Sequence, residues 1–183
     1  MIKNIKGTRD EFPNSTNNLQ DIERHLAIFM ALHGYGEIRT PIFESTELFK
    51  RSVGEHTDIV SKEMYTWTDI NDKSLTLRPE MTASVIRSYI QNQIWKKEPS
   101  SKYYYIGPAF RRERPQKGRY RQFHQFGIEA IGSSYPEQDA EVISMAYNIY
   151  KMFGIENLSI KLNSLGSENI RMKYVKSLKE TLM

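Results

Sequence analysis

Apolar residues along the chain recur in two rhythms, one of helical period and one of strand period, and turn residues separate the stretches that carry them. Leu19, Ile22, Leu26, Phe29 and Met30 predict a first helix from about Thr16 to His33, which Gly34 stops. Glu37–Phe43 follows as an extended segment, and Pro41 favours an edge or interface position for it. Leu48 and Phe49 belong to a short helix ahead of Gly54. Met64–Thr68 and Ser74–Leu77 flank an Asp-Ile-Asn-Asp-Lys turn and predict a hairpin. Arg78-Pro79 opens a second helix with Val85, Ile86, Tyr89, Ile90 and Ile94 on one side. Lys102–Ile106 is rich in β-preferring aromatics, and Ala109-Phe110 continues that strand beyond Gly107-Pro108. Gln122–Ile131 predicts its partner. Ser134 and Glu137 form a capping-box pattern with Pro136 in the first turn of a third helix, which runs to Phe153 and ends at Gly154. Leu158, Ile160 and Leu162 alternate as a strand. A last helix from Ser167, with Ile170, Tyr174, Leu178 and Leu182 as its stripe, runs to the final residue without a C-cap signal. The expected fold is α+β, an antiparallel β-sheet flanked by helices, in a chain that stops inside an architecture.

Charge changes this picture at one place. The chain carries +4 in all, from 26 Lys+Arg against 22 Asp+Glu, yet residues 111–121 alone hold six positive side chains and one negative. The remainder is therefore close to neutral, at −1. Pro115 and Gly118 interrupt the basic run, so it is a loop between the two strands rather than a helix. On the second strand Phe123, Gln125, Gly127 and Glu129 share one face, and the hairpin would bring Arg111, Glu113, Phe123, Gln125 and Glu129 near one another. A solvated charged turn is the commoner fate of a short basic loop. Against it stands a face with two carboxylates, a Gln and a Phe, since polar groups on a central strand need partners and a ligand is one candidate. His124 alternates to the opposite face.

Composition then removes several classes of chemistry. The 183 residues are 39% hydrophobic, enough for a core, and no apolar run approaches the ~18 residues of a membrane span. The N-terminal Met-Ile-Lys-Asn-Ile-Lys lacks the apolar core of a signal peptide. Zero cysteines excludes disulfides, a thiol nucleophile and thiolate metal sites, and fits a reducing cytosol, so the expected location is cytoplasmic. There is no phosphate loop of the Walker type, no dinucleotide fingerprint and no Gly-x-Ser-x-Gly elbow. His25, His33, His56 and His124 lack metal-ligand spacing, and no metal site is expected. Residues 52–55 and Thr57-Asp58 read as a polar loop.

The segment Phe110–Glu129 resembles motif 2 of class II aminoacyl-tRNA synthetases, and its loop, Glu-Arg-Pro-Gln-Lys-Gly-Arg-Tyr-Arg-Gln-Phe, resembles that of histidyl-tRNA synthetases. Supporting stretches stand in order: Lys6–Asp10, Tyr35–Glu44 as a motif 1 analogue, Arg51–Asp58, Lys62–Thr66 and Leu77–Ala83. The resemblance implies activation of L-histidine by ATP to histidyl-adenylate with release of pyrophosphate, then transfer to tRNA(His). It implies that Arg111 grips the α-phosphate, Glu113 contacts the adenine edge and Phe123 stacks on its face, while Arg119 or Arg121 reaches the outer phosphates. Glu80, Thr82 and Gln125 match positions that hold the substrate ammonium, and Glu129 the carboxylate that reads the imidazole. Each has a plainer reading: Glu80 stabilises a helix dipole, and Gln125 and Glu129 satisfy backbone or arginines. Mg²⁺ is implied as a partner of ATP, and a homodimer through Tyr35–Phe43.

Two departures qualify the likeness. Met81 stands where Gly is expected in many of these synthetases, and so resembles the regulatory subunit of ATP phosphoribosyltransferase, a histidine-binding paralog that charges no tRNA. The intact basic loop argues for the synthetase. The histidine-specific segment, motif 3 arginine and anticodon-binding domain of the family are expected beyond residue 183. Residues 1–183 would then be the N-terminal portion of the catalytic domain, inactive or nearly so alone, because the second phosphate-binding arginine is missing.

Overall fold

The computed structural model describes residues 1–53, 57, 60, 63–163 and 168–182. Gly54 and most of the polar stretch after it, Lys62, and Ser167 at the expected start of the last helix lie outside the described residues. Two compact units result, Met1–Val142 and Ile143–Met183, and every strand among the described residues belongs to the first.

Helix α1 spans Pro13–Leu32, three residues earlier than the apolar rhythm suggests. Pro13 occupies the first helical position, where its missing N–H costs nothing, and the Phe12 carbonyl accepts the Thr16 N–H at 2.9 Å. The helix stops as expected at Gly34, whose φ of +76° lets its N–H reach Ala31 O while the Tyr35 N–H reaches Met30 O. Tyr35 and Met30 are both buried at this corner. Tyr35 thus begins the expected dimer segment inside its own chain, where its hydroxyl accepts a hydrogen bond from Gln138, whereas Ile42 and Phe43 at the other end are exposed.

Among the described residues six strands form two three-stranded sheets. β1 (Gly36–Glu37), β5 (Ser101–Phe110) and β6 (Gln122–Ile131) make one, in the order β1-β5-β6. β2 (Phe43–Ser45), β3 (Tyr65–Thr68) and β4 (Ser74–Leu77) make the other, in the order β2-β4-β3, and β3–β4 is the predicted hairpin. All pairs are antiparallel except β1–β5, which is parallel and corrects the expected all-antiparallel sheet. A parallel pair needs a long crossover, and the second sheet with helices α2 (Thr46–Val53) and α3 (Thr82–Gln91) supplies it.

The segment expected to be extended from Glu37 to Phe43 joins strands only at its ends. Between them its carbonyls go to Arg78 instead of a neighbouring strand. The Arg78 N–H donates to Ile42 O at 2.9 Å, and its guanidinium donates to Thr40 O at 2.9 Å and Pro41 O at 3.3 Å. On the other side Arg78 Nε donates to Pro108 O at 2.8 Å, and Arg78 O accepts the Phe110 N–H at 3.0 Å. This arrangement explains how Gly107-Pro108 lies inside a continuous β5. Residues 104, 108 and 110 present their backbone away from β6, so Pro108 has no ladder bond to lose. Gly107 is required as well, because a Cβ there would lie 2.8 Å from Arg78 Nη2. Burial pulls the Arg78 pKa below its ordinary value, partly opposed by Glu44, and the side chain is only 5% exposed.

Arg78-Pro79 therefore does not open the second helix. α3 starts at Thr82 after Met81, and Glu80 closes its N-terminus by accepting the N–H groups of Thr82 and Ala83 at 2.6 and 3.0 Å. Its apolar side buries Val85, whereas Ile90 is exposed and Ile94 lies in a separate 3-10 turn, Ile94–Lys96. Helix α4 spans Pro136–Met152 and ends at Gly154 with the same pair of capping bonds as α1, to Lys151 O and Tyr150 O. The hydroxyl at its start is that of Ser133, which accepts the Tyr135 N–H, rather than the expected Ser134–Glu137 box. Leu158, Ile160 and Leu162 form no strand: their unit contains no other strand among the described residues to take their backbone groups. Helix α5 spans Glu168–Leu182. Among the described residues no helix is long and apolar enough to cross a membrane.

Removing the Arg78 side chain should be costly, since three carbonyls lose a charged donor in a buried place. We expect Arg78→Met to lower unfolding free energy by about 3 kcal/mol in urea titrations followed by tryptophan fluorescence. Arg78→Lys should recover only part of it, because one ammonium cannot span the three acceptors. A loss under about 1 kcal/mol for the Met variant would contradict this role.

Candidate active site

The β5–β6 hairpin sets the site by its register. Ala109 faces Phe123, Gly107 faces Gln125, Tyr105 faces Gly127 and Tyr103 faces Glu129. Period-two alternation puts all eight on one face of the sheet. The basic loop returns through a tight turn, Gln116-Lys117-Gly118-Arg119, with Gly118 at φ +81° and the Arg119 N–H on Gln116 O. Its base is closed by the Arg111 N–H on Arg121 O at 3.0 Å, and its flank by the Arg112 N–H on Glu63 O at 2.6 Å.

At the loop end of this face four of the candidate residues meet. Arg111 Nε donates to Pro79 O at 3.0 Å, and its guanidinium lies 5.1 Å from the Phe123 ring centre, a cation–π contact. Arg111 Nη1 stands 3.7 Å from Glu113, and Arg119 Nη1 bonds the other Glu113 oxygen at 3.2 Å. These residues line a recess of about 390 Å³ together with Gly118 and Tyr120. Arg121 stands apart: its N–H donates to Gly7 O at 2.7 Å and its Nε to Glu113 O at 3.5 Å. His124 is exposed and alternates to the other face of β6 from Phe123, yet it also borders this recess.

Farther along the face, acidic groups gather. Glu80 is fixed at the start of α3, the Thr82 hydroxyl meets the Tyr105 hydroxyl at 3.3 Å, and the latter donates to Glu129 Oε1 at 3.3 Å. Tyr105 is 4% exposed, and burial pushes its pKa up to about 12, with the nearby Glu129 and Glu80 charges adding to the rise. Burial also raises the Glu129 carboxyl above its usual range; the Thr82 and Tyr105 hydroxyls pull it back and the Glu80 charge adds to it. Among the described residues neither Glu80 nor Glu129 has a cationic partner within 4.0 Å. Gln125, between Phe123 and Gly127 on the same face, keeps a buried Oε1 with no hydrogen-bond donor among the described residues. Two carboxylates without a cationic partner among the described residues, and an acceptor without a donor, make a site that suits a cation rich in N–H groups.

The hairpin thus gathers Arg111, Glu113, Arg119 and Phe123 in one group, and Glu80, Thr82 and Glu129 in a second. Tyr105 is the member missing from the sequence reading. Its signal was Gly127, a glycine inside a well-formed strand: a Cβ there would fall 2.3 Å from the Tyr105 ring, so the glycine is the bed in which the tyrosine lies.

The sequence model for histidyl-tRNA synthetase matches residues 7–169. The chain belongs to the histidyl-tRNA synthetase family. It is 56% identical to a histidine–tRNA ligase of Solibacter usitatus over 185 aligned residues, covering 100% of this chain and 44% of that protein. It is 53% identical to one of Staphylococcus epidermidis over 180, covering 97% and 42%. The chain therefore spans less than half the length of these curated relatives. Among solved structures, apo S. aureus histidyl-tRNA synthetase superposes with a TM-score of 0.80 at 44% identity, over 97% of this chain and 41% of that one. A Bacillus halodurans protein described as an ATP phosphoribosyltransferase regulatory subunit/histidyl-tRNA synthetase superposes at 0.70 with 27% identity, over 84% and 38%. The fold expected from the family, a sheet core flanked by helices, agrees with these superpositions.

Two outcomes follow for this chain. Gly127→Ala should evict the Tyr105 ring and cost about 2 kcal/mol of stability, and Tyr105→Gly should cost less in that background than in the parent. Additivity of the two losses would contradict the close contact. Because folding raises the Glu129 pKa, the folded chain holds that proton more tightly. Its contribution is present below the ordinary carboxylate range and is lost as pH rises through the raised value. Glu129→Gln should therefore melt about 2 °C higher than the parent near neutral pH, with the gap closing toward about pH 4. A Gln variant that melts lower than its parent near neutrality would refute this.

Proposed function

We propose that residues 1–183 supply the ATP- and histidine-binding part of a histidine–tRNA ligase catalytic domain. The observation that supports this reading is the Gln125 acceptor, without a donor among the described residues, set on the face that carries Glu129 and near the arginine recess. An amino acid with an ammonium and a second N–H group complements the first end, and a polyphosphate complements the second.

In this reading Glu80, Thr82 and Gln125 hold the ammonium of L-histidine, and Glu129 accepts from the imidazole, with Tyr105 keeping its carboxylate in place. The substrate carboxylate then points along the sheet toward Arg111. Its oxygen attacks the α-phosphorus of ATP, the bond to the β-phosphate oxygen breaks, and pyrophosphate leaves. Such a transfer needs positioning and neutralised charge more than covalent help. Arg111 would grip the α-phosphate, since its fork is held by Pro79 O and Phe123 and cannot deprotonate. Phe123 would stack on adenine and Glu113 would contact its edge. For the outer phosphates Arg119 is the better candidate, because it shares the recess with Arg111 while Arg121 bonds Gly7. Mg²⁺ would arrive on the nucleotide, held by phosphate oxygens and water; among the described residues no group of three His, Asp or Glu side chains forms a metal cage. Transfer to tRNA(His), dimerisation around the exposed Ile42–Phe43 end of the motif 1 analogue and a cytoplasmic location complete the reading.

Met81 no longer favours the regulatory paralog. Its side chain is 1% exposed and packs with Val85 and Tyr105 in the core, so it acts as a filler below the site.

Calorimetric titration with L-histidine tests the proposal. Gln125→Leu and Glu80→Gln should each weaken histidine at least about tenfold, while Gln125→Leu leaves the fold as stable or more so by removing a buried unpaired acceptor. Pyrophosphate exchange by residues 1–183 alone should stay far below that of a full-length ligase. Undiminished histidine binding in both variants would overturn the assignment.

A further inference from the structure

The first eleven residues are absorbed by no step above, yet they touch the basic loop at three places. Ile5-Lys6-Gly7-Thr8 is a tight turn, closed by the Thr8 N–H on Ile5 O at 3.0 Å and the Thr8 hydroxyl on the same oxygen at 2.7 Å. Asn4 Nδ2 braces it on Thr8 O at 3.1 Å. Gly7 takes φ +90°, which frees its carbonyl to accept the Arg121 N–H at 2.7 Å. The same Arg121 offers its own carbonyl to the Arg111 N–H at 3.0 Å and its Nε to Glu113 O at 3.5 Å. One glycine carbonyl thus ends a chain of backbone bonds that reaches Arg111, and the Arg121 side chain extends it to Glu113.

The approach is close. A Cβ on Gly7 would lie 2.9 Å from Arg121 Cγ and 2.9 Å from Pro115 Cγ, so no other residue fits there without moving the loop. Gly118 in the loop's own turn has nothing within 4 Å of such a Cβ and is a glycine for its dihedral alone. Two residues on, the Arg9 guanidinium lies 4.6 Å from the Tyr120 ring centre, and Glu11 holds that arginine at 2.5 Å.

We propose that the N-terminal turn is a clasp that positions the basic loop, with Gly7 as a positioning residue for Arg111, Glu113 and Arg119; the nucleotide part of this rests on the function proposed above. Six cations in eleven residues repel one another, and a loop with few partners of its own samples many conformations. Fixing Arg121 from outside holds both ends of the loop in register, so the arginines need not be ordered by the nucleotide itself.

The test uses residues 1–183 with two readouts, amide hydrogen exchange and calorimetry with MgATP and with L-histidine. Gly7→Ala should speed exchange of the Arg111 and Arg121 amides about tenfold with β3–β4 unchanged, and weaken ATP by about tenfold with histidine within about twofold. Arg9→Ala removes the contact on Tyr120 without backbone strain and should move both readouts the same way by about threefold, which keeps the test decisive if Gly7→Ala does not fold. Unchanged loop exchange in the variants overturns the clasp. Faster exchange with unaltered ATP affinity overturns its positioning role. If the parent takes up no ATP at all, the nucleotide reading falls, and loop exchange alone decides whether the turn holds the loop.

Discussion

A single buried guanidinium ties the two sheets together. Arg78 leaves the end of β4, meets carbonyls of the segment after β1 and one carbonyl of β5, and by its own backbone bonds the approach to β2 and the end of β5. A neutral side chain could not serve three carbonyls at once, and a carboxylate partner would occupy the donors they need. The next two residues continue the tie: Pro79 O receives Arg111, and Glu80 caps α3. Three consecutive residues therefore join both sheets, the loop end of the candidate site and the helix that carries Thr82. The site's geometry is in this sense a by-product of how the sheets are joined.

The two ends of the site meet their electrostatic costs differently. At the loop end, Glu113 lies between Arg111 and Arg119, so the cations are partly neutralised before any ligand arrives. In the function proposed above, a polyphosphate would compete with one carboxylate there, and Glu113 would stay beside the recess to take a donor from a base edge. At the other end nothing plays that part. Glu129 is desolvated near Glu80, and Gln125 leaves an acceptor empty, so the unliganded fold carries a penalty that a bound ammonium and imidazole would relieve. Sites of this kind concentrate instability where specificity is needed, since an amino acid lacking the second N–H group leaves Glu129 unanswered.

Much of the fold was legible because its signals are local. Gly34 and Gly154 terminate their helices as expected, and the β3–β4 and β5–β6 hairpins follow from β-rich runs around turn residues. The site face was legible too, since alternation along Gln122–Ile131 sorts Phe123, Gln125 and Glu129 together without knowledge of the partner strand. What was illegible depends on distant groups. The extended segment after Glu37 fails to become a strand because Arg78, some forty positions later, takes its carbonyls. Residues 158–162 carry a strand rhythm with no neighbour to pair with. Tyr105 sat in a run of three tyrosines that read as β propensity, and only the register opposite Gly127 singles out the middle of the hairpin as its place.

Glycine explains why Arg119 and Arg121, indistinguishable in sequence, part company in space. The loop contains one positive-φ residue of its own, Gly118, and its turn sends Arg119 back over Glu113. Arg121 lies after the turn, where its backbone is already claimed by Arg111 on one side and by Gly7 on the other. The Arg121 side chain passes alongside Gly7, and its Nε reaches Glu113 O rather than the recess. The Arg119 side chain, 63% exposed and held at its tip by Glu113, is the one of the pair that faces the recess. The loop's charge is therefore divided: one arginine held by the fold, one held by Glu113 until something more acidic comes.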